Sequence, residues 1–355
     1  MLAMLKKAAV WILLCVSIAS WSGCGSTSSH YVYATLSANE VAAYREDPNS
    51  GILTPISGSP FATGTAPQAV VVHPSRKFAY VANAGENDIS LFTVGSSGAL
   101  TEVLPRTNTT GSPNFMAIDP PGSFLYVASS SSNSISSFSI SSSSGALTLV
   151  SGSPFPIGVS PISLKLAPSG NFLFIGSAGS PGSISSFSVS AGAIKVAGSS
   201  PAGGNPFGLA VDSGGSFLYV ANTLDNSIST FSIGATGALT EIAGSPVGET
   251  LTAAPVALLV DPSGKHLFVA NEGSNNIAAY TISSGALTVL TNSPFGGVTS
   301  PNSIVADPSG KYLLVESGAS SGAITVFRLD PSTGTLSAPA SYSPGGTPTS
   351  ITAVP

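Results

Sequence analysis

One stretch is written into this chain again and again, and it limits the possible fold more than any other feature. Its clearest copy runs Val256-Ala-Leu-Leu-Val-Asp-Pro-Ser-Gly-Lys-His-Leu-Phe-Val-Ala-Asn-Glu272, then Ile277-Ala-Ala-Tyr-Thr281, then Gly285-Ala-Leu-Thr288. Two apolar, β-branched runs flank Asp261-Pro262-Ser263-Gly264. Asp, Pro and Gly there stand at the first, second and fourth places of a type I turn, so the pair reads as a hairpin. A third strand follows a polar loop, and a fourth follows Ser-Gly. Four short antiparallel strands in about 45 residues make one propeller blade.

The apolar or aromatic centre of the second strand recurs at Val32, Tyr80, Tyr126, Phe174, Tyr219, Phe268 and Leu314, every 45 to 49 residues. The hairpin turn recurs only six times, at His73, Asp119, Ala167, Asp212, Asp261 and Asp307. The missing first strand lies at the far end, where Thr349-Ser-Ile-Thr-Ala-Val354 repeats the form of Asn302-Ser-Ile-Val-Ala-Asp307. The expectation is therefore an all-β fold, a seven-bladed β-propeller of four-stranded antiparallel blades over residues 31–355. Its C-terminal strand pairs into the first blade, which closes the ring and removes the open edges.

Residues 1–23 stand apart from this ring. Lys6 and Lys7 precede an apolar run from Ala8 to Ile18, too short to span a bilayer, and small residues follow. That is the pattern of a bacterial export signal. Trp21-Ser22-Gly23-Cys24 resembles a lipoprotein lipobox, with Trp21 in the place usually held by Leu. The resemblance implies a lipidated Cys24, residues 24–30 as a tether, and a location in the cell envelope. Cys15 falls in the signal, so the exported fold has no disulfide. Leaving Lys6 and Lys7 out of the 11 basic residues gives 9 against 16 acidic ones, a formal charge of −7. That balance argues against nucleic acid and anionic lipid as partners.

Strand order decides which loops share a face. The loops after the second strands emerge together with the links between blades, and the hairpin turns emerge on the other side. On the first, loop-bearing face lie Asn83, Glu86, Asp88, Asn222, Asp225, Asn271 and Glu272, the candidate ligand-binding residues. On the opposite face lie His73, Arg76, Lys77, Lys265, His266 and Lys311, a mildly basic set. Asp119, Asp212, Asp261 and Asp307 each open a turn whose backbone the carboxylate can bond, a structural role. The three Asn residues ending second strands read as loop caps in the same way. The loop carboxylates are oxygen donors of the kind Ca²⁺ takes, but they lack the dense alternation of a calcium loop, so no cofactor is expected. Gly318-Ala-Ser-Ser-Gly322 spells a nucleophile elbow outside the strand–turn–helix setting that motif needs, and reads as chance.

Leu-Tyr-Val-Ala-Asn222, with Asp-Pro-Ser-Gly before and Gly-Ala-Leu-Thr after in neighbouring copies, resembles the seven-bladed lactonase family. That group takes in bacterial 6-phosphogluconolactonases, carboxymuconate-lactonising enzymes and YVTN-type propellers. The resemblance implies Arg and His just after the Pro that opens an inner strand, and a Glu in an Asn-Glu pair ending a second strand. Asn271-Glu272 matches that pair. The inner strands open Pro67-Gln68, Pro113-Asn114, Pro161-Ile162, Pro206-Phe207, Pro255-Val256, Pro301-Asn302 and Pro348-Thr349, without Arg or His. Two readings follow. One is a non-catalytic, monomeric propeller offering its loop face to an envelope glycan, peptide or protein. The other is a lactonase for a neutral lactone working through Glu272.

Overall fold

The structure is a computed structural model and describes residues 29–248, 254–319 and 322–355. The signal, Cys24 and most of the tether lie outside the described residues, as does Ser320 of the elbow-like pattern. The described chain folds into seven antiparallel sheets without a helix. Blades 2 to 7 begin with inner strands Pro67–Val72, Pro113–Ile118, Pro161–Leu166, Pro206–Val211, Pro255–Val260 and Pro301–Ala306. Blade 1 takes its inner strand, Pro348–Val354, from the C-terminus. It pairs antiparallel with His30–Leu36, Tyr31 opposite Val354 and Ala34 opposite Ile351. The ring closes as the sequence predicts.

Each recurring residue has a packing reason. All seven residues that mark the blades, from Val32 to Leu314, are fully buried. Buried apolar side chains gather in seven clusters, one between each pair of neighbouring blades; the cluster joining blades 7 and 1 holds Leu314 and Val326 beside Val32 and Ile351. Burying such side chains contributes about 1.5 to 3 kcal/mol each, so face-to-face stacking of blades is the main cohesive force. The glycine of the outer Gly-Ala-Leu turn is fixed by the same stacking. At Gly145 φ is +73°, and an added Cβ would come 2.6 Å from the Phe78 ring of the blade before.

The turn aspartates do what their position suggests. Asp261 Oδ1 accepts from the backbone N–H of Lys265 and of His266, both at 2.9 Å, and Asp212 Oδ1 accepts from Ser216 and Phe217 at 2.7 and 2.6 Å. Several blade links are also structural. In the repeated Ser-Pro step, Ser59, Ser153, Ser245 and Ser293 each accept a hydrogen bond from a third-strand N–H at 2.8 to 2.9 Å. They continue the ladder where the fourth strand stops, which leaves those links little freedom to serve as binding loops.

The opposite face needs one correction. His73 and His266 are buried, not displayed. The His73 ring is held between Ser75 Oγ and the Gly122 carbonyl, at 2.8 Å each, and His266 Nδ1 lies 3.2 Å from Asp261 Oδ2. His30, placed before the first strand from sequence, is its first residue and is also buried.

Candidate functional site

Seven inner strands packed side by side enclose a channel on the propeller axis. Its cavity, about 660 Å³, is lined by the inner strands as far as their fifth residues together with Ser130 and Ser160 of the loop face, and so opens on that face. The lining is neutral and mixed. Gln68, Asn114, Asn302, Ser160, Thr349 and Ser350 supply amides and hydroxyls, while Phe115, Ile162, Phe207 and Val256 supply apolar surface. Some polar groups are already engaged, as where Ser130 Oγ donates to Asn114 Oδ1 at 2.7 Å. Others are not: Asn302 Nδ2 donates to the Pro348 carbonyl at 3.3 Å, but its Oδ1 is buried without a partner. An unsatisfied buried acceptor beside a cavity is a place where a ligand hydroxyl would be favoured.

A family model described as "Lactonase, 7-bladed beta-propeller" matches residues 26–160, 157–245 and 241–353. The chain belongs to the seven-bladed β-propeller lactonase family. Solved structures agree on the fold. A protein from Bacteroides fragilis described as a candidate 6-phosphogluconolactonase superposes with a TM-score of 0.78 at 21% identity, covering 93% of this chain and 99% of that one. The periplasmic gluconolactonase of Pseudomonas aeruginosa superposes with a TM-score of 0.76 at 19% identity, covering 92% and 99%. No curated protein matches the chain.

Within this lactonase-family scaffold the loop-face candidates divide. Asn83, Asn222 and Asn271 are fully buried and clamp their own loops. Asn83 Nδ2 donates to Asp88 Oδ1 at 2.7 Å and Ser90 Oγ at 3.0 Å; Asn222 Nδ2 reaches Ser227 and Ser229, and Asn271 Nδ2 reaches Asn276. Asp88 is thereby tied down, 3.8 Å from Arg106. Glu86 receives the Thr65 hydroxyl at 2.9 Å and pairs with Arg106; the Thr65 hydroxyl first, then the Thr65 backbone and Arg106, hold its carboxyl below the usual range. Asp225 is exposed and accepts the Gly204 N–H at 2.6 Å. Glu272 is exposed, has no side-chain hydrogen bond among the described residues, and stands outside the channel lining. The four carboxylates do not gather into a group that could hold a cation together.

Two residues that sequence reading passed over matter more. Among the described residues Lys165 is the one charged side chain in the channel lining, at the place where other inner strands carry Val71, Ala117, Ala210, Leu259, Val305 or Thr352. It is partly accessible, but only to the channel, and enclosure by the ring lowers its pKa by desolvation. Glu316 stands where other second strands carry Ala, Gly or, in blade 1, Thr35, directly opposite the channel-lining Ser303. It is fully buried, neither oxygen has a partner, and burial raises its pKa well above 4.5, which favours the neutral acid. Laying the repeats over one another and asking which copy carries a charge in an apolar column would have found both.

Proposed function

We propose that this lactonase-family propeller is exported, is held at the cell envelope by a lipid on Cys24, and binds a neutral, hydroxyl-rich ligand of sugar size in its channel without hydrolysing it. One observation carries the reading: the channel wall is built of amides, hydroxyls and apolar side chains around a single amine. Such a surface suits a polyol, whose hydroxyls both donate and accept and whose C–H faces lie on apolar side chains. A phosphorylated or carboxylated lactone would find no guanidinium fork there. Hydrolysis needs a positioned base to activate water, and among the described residues the lining contains neither carboxylate nor imidazole.

A second reading has its own support. Enclosure favours a neutral Lys165, which can serve as a base, and two structural relatives carry lactonase descriptions, one of them for the uncharged gluconolactone. In this reading the protein hydrolyses a neutral sugar lactone from the channel, or from the loop face through Glu272. The deciding experiment titrates the full chain with sugar lactones and the matching open polyols by calorimetry, and follows acid release in parallel. Heat of binding without turnover supports a binding protein. Turnover lost in Lys165→Met or in Glu272→Gln replaces it with a lactonase and locates the base. Neither heat nor acid across neutral sugars sinks both readings.

A further inference from the structure

The place where the ring closes carries a cluster that neither reading uses. In blades 2 to 7 a covalent hairpin joins inner to second strand; in blade 1 these are the two ends of the described chain, joined only by sheet pairing. At that seam, on the hairpin face, His30 opens the second strand of blade 1. Glu46 lies opposite it at the end of the third strand, and Asp307 arrives from the hairpin of blade 7. His30 Nδ1 is 3.6 Å from Glu46 Oε2 and 3.5 Å from Asp307 Oδ2, and ligating atoms of all three lie within 4.8 Å of one another.

Three features separate this cluster from an ordinary patch of acid. It is buried: the side chains of Glu46 and Asp307 have no exposure, and that of His30 has 8%. It is unsatisfied: His30 Nδ1 and both Glu46 oxygens are buried without a hydrogen bond. It lacks a counter-charge, since among the described residues no Lys or Arg comes within ion-pair distance of either carboxylate. Burial and then the facing Asp307 push the Glu46 carboxyl up to about 8. Asp307 is the pre-positioned member. Its Oδ1 accepts from the backbone of Lys311 and Tyr312 at 2.8 and 2.7 Å, and its Oδ2 from the N–H and hydroxyl of Ser309.

We propose that His30, Glu46 and Asp307 bind a divalent transition-metal ion, zinc by its ligand set, which fastens blade 1 to blade 7 across the closure of the ring. Zinc bonds to nitrogen and carboxylate oxygen are about 2.1 Å, so the edge of a tetrahedral site is about 3.4 Å. The two measured separations come within a few tenths of an ångström of that edge. An imidazole nitrogen selects against Ca²⁺ and Mg²⁺, which prefer all-oxygen shells. On binding, the Ser309 hydroxyl turns away from Oδ2 and its N–H bond stays. Glu46 borders a cleft of about 300 Å³ with Ser29, Arg45 and Asn49, which offers the ion a route in and leaves space for a fourth ligand such as water.

The test strips the full chain with a chelator and titrates it with Zn²⁺, Ca²⁺ and Mg²⁺, reading stoichiometry by metal analysis and Tm by calorimetry. One zinc per chain is expected, with Tm raised by about 3 to 5 °C when free zinc is a hundredfold above its Kd. Ca²⁺ and Mg²⁺ should do neither. Two variants check the location. His30→Ser installs the residue that Ser123 and Ser216 supply at the same position, so it should fold; Glu46→Gln keeps the size and removes the charge. Each should weaken zinc binding by about a hundredfold and abolish the rise in Tm. Zinc that binds equally well to both folded variants sits elsewhere, and zinc that does not bind the native chain leaves a proton-filled cluster; either result overturns the proposal.

Discussion

The seam between blades 7 and 1 shares one packing rule with the other six junctions and departs from them in its polar groups. In blades 2 to 7 the first residue of the second strand is Phe78, Phe124, Phe172, Phe217, His266 or Tyr312, and each lies against the outer-turn glycine of the following blade, Tyr312 against Gly51 across the seam itself. At the start of blade 1, Tyr31 takes that part, with its ring over Gly98 and its hydroxyl donating to the Ser96 carbonyl at 2.8 Å. His30 is left to face Glu46 and Asp307. Where a hairpin joins the strands, the turn residues bond their own backbone; where the ring is closed by pairing alone, three titratable side chains face one another without such partners for His30 and Glu46. A related contrast holds on the axis, where Lys165 and Glu316 put an ionisable group into columns that the other blades fill with Ala, Gly, Val, Leu or Thr.

The most forceful way to break the comparison is to end the chain before Pro348. Blade 1 then loses its inner strand, Ile351 leaves the cluster shared with Leu314 and Val32, and the edge of His30–Leu36 is bared. We expect Tm to fall by more than about 10 °C, or the product to aggregate, in calorimetry and light scattering. Loop clamps come next. Asn83→Ala removes a buried amide bonded to Asp88, Ser90 and Thr63 and should cost about 2 to 3 kcal/mol in urea unfolding. At the seam the matching position holds Leu36, and the polar contact there is made by the preceding residue, Thr35, whose hydroxyl lies 2.8 Å from that of Thr349. Thr35→Ala should cost only about 1 kcal/mol. Equal costs would mean that the seam is built like every other junction.

Legibility in the sequence followed the same division. Blade number, strand order, ring closure and the turn aspartates were readable because seven copies state the same packing rule, and a rule stated seven times survives local noise. The channel and the seam were not, because each depends on one copy departing from the rule. Asp307 illustrates the difficulty: as a turn residue it resembles Asp119, Asp212 and Asp261, and only the fold reveals that it also faces a histidine 277 positions earlier in the chain. His30 and Glu46 were invisible for a related reason, since neither carries metal-ligand spacing by itself. The channel's neutrality was half legible, from inner-strand starts without Arg or His, while Lys165 stands at the fifth position of its strand, past those starts.

Glu316 offers a smaller, cleaner test of whether departures from the repeat are costs retained for a purpose. An acid whose pKa is raised on folding binds its proton more tightly in the folded chain than in the unfolded one. Stability is then full below pH 4.5 and declines as pH rises from there toward the folded value, because the folded state resists a deprotonation that the unfolded state undergoes freely. Glu316→Gln removes that titration, so its Tm should exceed that of the native chain at pH 8 and match it near pH 4; a constant difference across the range would mean that Glu316 is held by something other than burial.

Lys165→Met is expected to have the smallest effect on folding. The amine is partly accessible to channel water, so replacing it should raise stability by about 0.5 kcal/mol or less, within the range of a surface change. Its effect belongs to the ligand. If the channel binds neutral polyols, affinity for them should change by less than about tenfold, because the amine supplies one donor among several amides and hydroxyls. Any weak affinity for the corresponding sugar acid should disappear, because among the described residues Lys165 is the only cation in the lining to receive its carboxylate. A variant that loses neutral and anionic ligands together would instead make Lys165 the anchor of the site, and the binding surface would contract from the whole wall to the neighbourhood of blade 4.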